Sequence, residues 1–265
     1  MAAIETHALR RCFGDFAAVE ALDLLVEEGT IFGLLGPNGA GKTTTIRMLT
    51  TLLAPTSGSA RVAGFDVVRE ASAVRRSIGY VPQMLSTDGT LTGHENLMLS
   101  AKLYHLPRDE RESRIANALA TVGLADAGNK LVRQYSGGMI RRLEVAAAML
   151  HRPRVLFLDE PTVGLDPVAR DAVWDHIRTL PAENGTTILL TTHYMEEADQ
   201  LCDRIAVMDH GRVAGLGTPA ELKAAVGPPA TLDDVFASLA GGTLVESGSG
   251  YGEVSRTCRN ARRLG

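Results

Sequence analysis

The spacing of apolar and polar residues predicts a chain in which buried strands alternate with helices. Three apolar runs are continuous, which is typical of parallel strands covered on both faces; they lie at residues 31–35, 155–158 and 186–192. Helical spacing follows each run, over residues 42–53, 167–180 and 194–202. Asp166 and Pro167 suit the N-cap and first position of the second of these helices. This pattern predicts a parallel sheet with helices packed against it.

Two stretches depart from the alternation of strand and helix. Residues 4–9 and 19–26 flank a turn at Gly14-Asp15 and predict a pair of strands. Further strands are expected at 59–66 and 77–81. Residues 93–151 instead hold three segments of helical spacing without a convincing strand, at 93–106, 109–122 and 136–151. We therefore expect a helical subdomain at about 90–150, inserted into the α/β chain.

The last part of the chain predicts a hairpin, a helix and a tail. Residues 205–208 and 212–216 form the hairpin, and the capping box Thr218-Pro219-Ala220-Glu221 opens a helix to about Val226. A short amphipathic helix follows at 231–240. Residues 241–265 are rich in Gly and Ser and end in arginines, so we expect a disordered tail. A solvated tail is favoured over contact with anionic lipid or RNA.

Composition narrows the class of protein. The chain has 265 residues and a formal net charge of -4, which does not favour a nucleic-acid partner. Its three cysteines are far apart and match no metal-ligand spacing, which suits a reduced compartment. No long apolar window or secretory leader is found. We expect a soluble intracellular protein, with docking on a partner that is not itself soluble left open.

The loop after the first buried strand carries the strongest chemical signal. Gly36, Gly41, Lys42 and Thr43 form the pattern G-x-x-x-x-G-K-T between a strand and a helix, which is typical of a phosphate-binding loop. The glycines let backbone N–H groups approach phosphate oxygens. Lys42 supplies charge for the β- and γ-phosphates, and the Thr43 hydroxyl suits Mg²⁺. The alternative is a chance glycine turn.

Carboxylates and a histidine follow two other buried strands. Asp159 and Glu160 end the strand 155–158, at the edge where α/β folds bind ligands. With a phosphate loop nearby, Asp159 is suited to bind Mg²⁺, and Glu160 is suited to orient or deprotonate a water. The alternative is a solvated pair of carboxylates at the end of the strand. His193 ends the strand 186–192 and falls on the same edge, although a lone histidine is often structural.

The residues alone leave two alternative roles for each of three polar or aromatic features. Phe13 is either a partly buried strand aromatic or a platform for a purine ring. Gln83 is either a solvated loop residue or part of a site. Ser136-Gly137-Gly138 is either a Gly-rich helix cap, with Ser136 as N-cap, or a helix start open to another group.

The order of these motifs over residues 4–225 resembles the ATP-binding-cassette (ABC) ATPases. The resemblance implies adenine stacking by Phe13, Mg²⁺ sensing and partner contact by Gln83, catalysis by Glu160 and a γ-phosphate contact by His193. It implies Mg²⁺ binding by Asp159 and Thr43, a D-loop at Asp166 and a signature at Ser136, Gly137 and Gly138, with Met139 where glutamine is usual. The residues that match the Walker A loop of this family are Gly36, Pro37, Asn38, Gly39, Ala40, Gly41, Lys42, Thr43 and Thr44.

The resemblance also implies the fold and its division. We expect an α/β P-loop NTPase with a RecA-like parallel-sheet core, an N-terminal antiparallel β-subdomain and an inserted α-helical subdomain. The ABC domain would cover 1–225, with a short helical segment at 226–240 and the tail at 241–265.

The form of the signature and residues 231–236 look like the daunorubicin-resistance type of drug exporter. A homodimer with ATP at its interface and separate transmembrane permease subunits are implied, which places the chain at the cytoplasmic face of the membrane. The cofactors implied are ATP and Mg²⁺, and no nucleic acid is expected. The alternative is a soluble ABC ATPase acting in translation or on DNA. A P-loop kinase or switch GTPase would not need the Ser-Gly-Gly segment or His193.

Overall fold

The computed structural model describes residues 2–246, except the side chains of 183, 184 and 240–246. The strands are β1 (Ala2–Phe13), β2 (Phe16–Glu27), β3 (Ile31–Leu35), β4 (Ser57–Val62), β5 (Phe65–Asp66), β6 (Ile78–Val81), β7 (Val155–Asp159), β8 (Thr187–Thr192), β9 (Arg204–Asp209) and β10 (Arg212–Gly217). The helices are α1 (Lys42–Leu49), α2 (Ala71–Ser77), α3 (Gly93–Leu103), α4 (Arg108–Thr121), α5 (Gly137–Met149), α6 (Pro167–Asn184), α7 (Met195–Leu201), α8 (Pro219–Val226) and α9 (Leu232–Glu246). None of these helices is both long enough and apolar enough to cross a bilayer.

The main sheet has six strands in the order β10-β9-β3-β8-β7-β6. Its strands are parallel except β10, which pairs antiparallel with β9. The side chains of β3 belong to two hydrophobic cores, one on each face of the sheet. Phe32 and Leu34 lie in one core, and Ile31 and Leu35 lie in the other. Because both faces of the sheet are covered, every residue of β3 is buried, which explains the continuous apolar runs.

An antiparallel sheet in the order β2-β1-β4-β5 packs on one side of the main sheet. Strands β1 and β2 have 12 residues each and are longer than predicted. Their pairing shifts at several bulges, including one between Thr6 and Leu9. A bulge changes the face that the following side chains occupy, so the alternation breaks while the strand continues.

The predicted helical subdomain lies between β6 and β7. Helices α3, α4 and α5 share a core of their own, which includes Leu97, Ile115, Leu119 and Leu143. A capping box between Thr92 and Glu95 opens α3. The subdomain therefore has a core of its own, and α5 also contributes side chains to the core on one face of the main sheet.

Several element boundaries differ from the sequence expectations. Helix α2 was not predicted, because Val74 is its one buried residue and leaves no helical pattern. Helix α1 ends at Leu49 rather than near 53, and α6 continues through Pro181 to a left-handed Gly185. Helix α9 runs to Glu246, past the predicted start of the tail at 241. The rest of that predicted tail lies outside the described residues.

Candidate active site

A cleft of about 400 Å³ lies beside the loops that follow β3 and β7. It is lined by residues from distant parts of the chain: Phe13, Phe16, Ala18, Asn38, Gly39, Gly41, Lys42, Thr43, Thr44, Gln83 and Glu160. Folding thus brings the phosphate loop together with the residues expected to contact a base and to act on a water. Of the described lining residues, Phe16 and Ala18 were not expected from sequence.

Close backbone packing explains the glycines of the phosphate loop. Gly41 has a φ of 99°, and a Cβ there would lie 2.5 Å from the carbonyl oxygen of Ala18. A Cβ at Gly36 would lie 2.3 Å from the carbonyl oxygen of Met208. Both positions therefore exclude larger side chains, and the loop is held so that α1 begins at Lys42 with its N-terminal N–H groups free for phosphate.

Lys42 places a buried positive charge at the floor of the cleft. Its side chain is 4% exposed, and its Nζ donates hydrogen bonds to the carbonyl oxygens of Gly36 (2.8 Å) and Pro37 (3.1 Å). The Nζ also lies 3.5 Å from Oε1 of Glu160. Burial lowers the pKa of Lys42, and the charge of Glu160 opposes this shift.

Glu160 is buried at the centre of a polar group. Gln83 Nε2 donates to Glu160 Oε2 (2.9 Å), and His193 Nδ1 lies 3.2 Å from Oε1 without the alignment of a hydrogen bond. The φ of Glu160 is 50°, which is unusual for a residue with a side chain. Its N–H donates to the carbonyl and hydroxyl oxygens of Thr191. These bonds hold a strained backbone of the kind found at functional sites.

Asp159 lies next to the phosphate loop, with hydroxyl groups on both sides. Its Oδ1 accepts hydrogen bonds from Thr43 Oγ1 (3.1 Å) and Thr191 Oγ1 (2.6 Å). The register of β7 and β8 pairs Asp159 with Thr191 directly. Sequence reasoning missed Thr191, although a threonine at the end of a buried strand, two residues before His193, was a usable signal.

The oxygen donors around Asp159 suit Mg²⁺. This ion prefers one or two protein oxygens and completes its shell with phosphate oxygens and water. Among the described residues, no group of three or more His, Cys, Asp or Glu side chains is arranged to hold a metal ion. The pair Thr43 and Asp159 is therefore a candidate for a nucleotide-bound Mg²⁺, rather than for a metal site made wholly of protein.

The aromatic side chains at one end of the cleft are accessible. Phe13 is 50% exposed and Phe16 65% exposed, and the two face each other across the β1–β2 pair. The Arg11 guanidinium lies 4.7 Å from the centre of the Phe13 ring. This exposure argues against a core role for Phe13. Phe16 could have been recognised from the sequence, because it is a second aromatic residue beside the Gly14-Asp15 turn.

The signature residues lie outside this cleft. Ser136 is the N-cap of α5 and accepts a hydrogen bond from the N–H of Met139, while Asp166 is the N-cap of α6 and accepts one from Ala169. Both capping predictions are confirmed. Ser136 and Asp166 are exposed, and the described lining of the cleft includes neither of them.

The two signature glycines have different environments. A Cβ at Gly138 would lie 2.7 Å from Cβ of Ala169, so this glycine lets α5 and α6 approach closely. We expect Gly138→Ala to lower the free energy of unfolding by about 1–2 kcal/mol, because overpacking outweighs the better helix propensity of alanine. Urea denaturation measures this change.

Gly137→Ala is the matched control for that prediction. Gly137 is exposed, and its added Cβ would meet the flexible tip of Leu165 at 3.2 Å. Stability should stay within about 0.5 kcal/mol of the parent or rise slightly. Equal losses from both substitutions would contradict the assignment of close packing to Gly138.

Fold and site together define the class of protein. A parallel sheet, a phosphate loop at the start of α1 and a buried Glu160 among Lys42, Gln83 and His193 are the parts of a P-loop nucleoside triphosphatase.

Comparison with known proteins places the chain within this class. The ABC transporter family model matches residues 19–163. The chain is 53% identical to the daunorubicin resistance ATP-binding protein DrrA3 of Streptomyces coeruleorubidus, over 85% of this chain and 71% of that protein. It is 39% identical to the linearmycin resistance ATP-binding protein LnrL of Bacillus subtilis, over 84% and 72%. The chain therefore belongs to the ABC transporter family, and it is an ATP-binding ATP hydrolase.

Solved structures share its fold. An ATP-binding subunit of an ABC transporter superimposes with a TM-score of 0.79 and 29% identity, over 90% of this chain and 99% of that one. An ATP-binding cassette solved as a dimer in a post-hydrolysis state with ADP and Pi gives a TM-score of 0.72 at 25% identity, over 81% and 98%. The predicted α/β fold with an antiparallel subdomain and a helical insert is confirmed.

Proposed function

We propose that the chain powers a membrane exporter of drugs or other amphipathic compounds, working with separate transmembrane subunits at the cytoplasmic face. The observation that carries the ATPase chemistry is the buried carboxylate of Glu160, 3.5 Å from the phosphate-loop lysine. Two similar proteins are named for resistance to daunorubicin and to linearmycin, which supports export of such compounds.

In this proposal, side chains of the cleft divide the work of hydrolysis. Lys42 and His193 hold the γ-phosphate, and Glu160 orients and polarises the attacking water. Thr43 and Asp159 hold Mg²⁺, with Gln83 as a further candidate contact. The ion, when bound, supplies charge that neutralises the phosphates. The exposed Phe13 ring stacks on the adenine.

A second copy of the chain completes the site in this proposal. Ser136 and Gly137 are exposed and lie outside the cleft of their own chain, so they are available to a partner's ATP. Two copies arranged head to tail would place the free N–H groups of α5 against that ATP, which would then stabilise the closed dimer. One structural relative was solved as a dimer.

Exposed apolar side chains after Gln83 and on α3 support docking of the transmembrane subunits. Met84 and Leu85 directly follow Gln83 and are exposed, as are Leu99 and Leu103 on α3. Exposed apolar side chains of this kind mark interaction sites. Contact here would link the membrane subunits to Gln83 and to the helical subdomain.

Efflux measurements test the exporter. The chain is produced with its cognate transmembrane subunits in drug-sensitive cells, and we expect accumulation of a fluorescent anthracycline to fall. The matched control replaces Glu160 with glutamine in the same pair and should restore accumulation. Equal accumulation with both forms, across a panel of amphipathic drugs, would contradict drug export. Sedimentation of the chain with ribosomes or DNA instead of membranes would favour the alternative of a soluble ABC ATPase.

A further inference from the structure

A buried ion pair lies on α5, the helix that begins at the signature. Arg141 Nη1 and Glu144 Oε2 are 3.0 Å apart, and each residue is 3% exposed. Neither side chain lines the nucleotide cleft as the structure describes it. The ATPase chemistry therefore leaves this pair without a role.

Both members of the pair bind the segment that contains Gln83. Arg141 donates to the carbonyl oxygens of Pro82 (2.7 Å) and Gln83 (2.9 Å) through its two terminal nitrogens. Glu144 Oε1 accepts from the backbone N–H and the hydroxyl group of Ser86. Four hydrogen bonds thus hold one face of α5 against residues 82–86.

The chemistry of these contacts indicates that the pair fixes the orientation of α5 and does not only stabilise the fold. A buried ion pair is often no more stabilising than apolar side chains of similar size. The guanidinium group is planar and rigid, so two bonds to successive carbonyl groups determine the direction of the helix as well as its distance. Apolar packing would not specify that direction so narrowly.

The same segment also contacts the site of hydrolysis. Gln83 Nε2 donates to Glu160 Oε2, and Glu160 lies beside Lys42. At the other end, Ser136 caps α5 one residue before the helix begins. Contacts therefore run without interruption from the phosphate loop through Gln83 and Arg141 to the exposed start of α5.

We propose that Arg141 and Glu144 are positioning residues that make the orientation of the signature helix follow the Gln83 segment. ATP in a subunit's own cleft would thereby set the face that the subunit offers to its partner's ATP. This inference rests on the head-to-tail dimer of the proposed function. It adds that the two nucleotide-contacting surfaces of one chain are coupled through this pair.

The double variant Arg141→Met/Glu144→Met tests the coupling in a Glu160→Gln parent, whose amide can still accept from Gln83. It removes both charges at once, so no buried charge is left unpaired. We expect its thermal midpoint and its affinity for a fluorescent ATP analogue to match those of the parent. Sedimentation should show that the double variant needs about tenfold more protein than the parent to dimerise with ATP. This change lies within the usual range of coupling between sites.

Arg142→Met is the matched control. Arg142 is the next residue of α5, and its guanidinium donates to the carbonyl oxygen of Val122 within the helical subdomain. This variant should dimerise like the parent. Arg141→Lys is the second test, because lysine keeps a charge beside Glu144 but lacks the planar fork of two nitrogens that fixes the direction of the two bonds. It should weaken the dimer without lowering the thermal midpoint.

The outcomes separate this inference from the proposed function. A parent that forms no dimer with ATP overturns the head-to-tail mechanism and the coupling together. A parent that dimerises, with the double variant or Arg141→Lys dimerising equally well, overturns the coupling alone. Equal weakening by Arg142→Met would also overturn it, since any disturbance of α5 would then suffice.

Discussion

Replacing Glu160 with glutamine is expected to stop ATP turnover while ATP still binds. Glutamine keeps the size of the side chain and an oxygen that accepts from Gln83 Nε2. It removes the negative charge needed to polarise a water, which typically lowers kcat by about 100- to 10,000-fold. Steady-state phosphate release measures the loss, and calorimetry measures ATP binding.

The same substitution should trap a closed dimer. Removing the carboxylate also removes repulsion of the γ-phosphate, so ATP affinity should hold or rise. Sedimentation with ATP should then show a persistent dimer. Glu196→Gln, at an exposed carboxylate on α7, is the control and should turn over normally. Robust hydrolysis by Glu160→Gln would refute the assignment of the base.

Replacing Lys42 with alanine is expected to abolish measurable ATP binding. The substitution removes the buried ammonium group from the floor of the cleft, where it lies 3.5 Å from Glu160. Loss of its charged hydrogen bonds to phosphate should weaken binding by about 3 kcal/mol or more, or at least about a hundredfold in Kd. The negative charge of Glu160, left without its partner, adds to this loss.

Titration with a fluorescent ATP analogue measures the effect of Lys42→Ala. Lys102→Ala, at an exposed lysine on α3, provides the control and should bind normally. A circular dichroism spectrum like that of the parent is required, because Lys42 also bonds to Gly36 and Pro37. A folded variant with unchanged affinity for the ATP analogue would contradict the assignment of a phosphate-binding loop.

Local patterns account for much of the fold. The continuous apolar runs predicted the buried strands because a sheet covered on both faces admits few polar side chains. Capping signals placed Ser136, Asp166 and Thr218 at helix starts, where the structure has them. Such signals act within a few residues and need no tertiary partner. Helix α2 was not predicted because it leaves no regular local pattern, and the pair β1 and β2 was predicted too short because bulges interrupt its alternation.

Long-range contacts within the site were less accessible to sequence reasoning. The phosphate loop, Asp159, Glu160 and His193 each follow a buried strand, so their common edge could be predicted. Thr191 was missed because its role depends on the register between β7 and β8. The Arg141–Glu144 pair was missed because its partners lie 58 or more residues away, on a loop.

The sequence by itself determined the order of most strands and helices, the phosphate loop and the motifs that resemble an ABC ATPase. Each of these depends on neighbouring residues: side-chain periodicity, glycine at strained positions and caps at helix starts. The tertiary structure alone decided that Gly138 serves the packing of α5 against α6, and that Arg141 and Glu144 bind the Gln83 segment. Close approach and buried hydrogen bonds depend on distances between segments far apart in the chain, and one-dimensional spacing does not contain those distances.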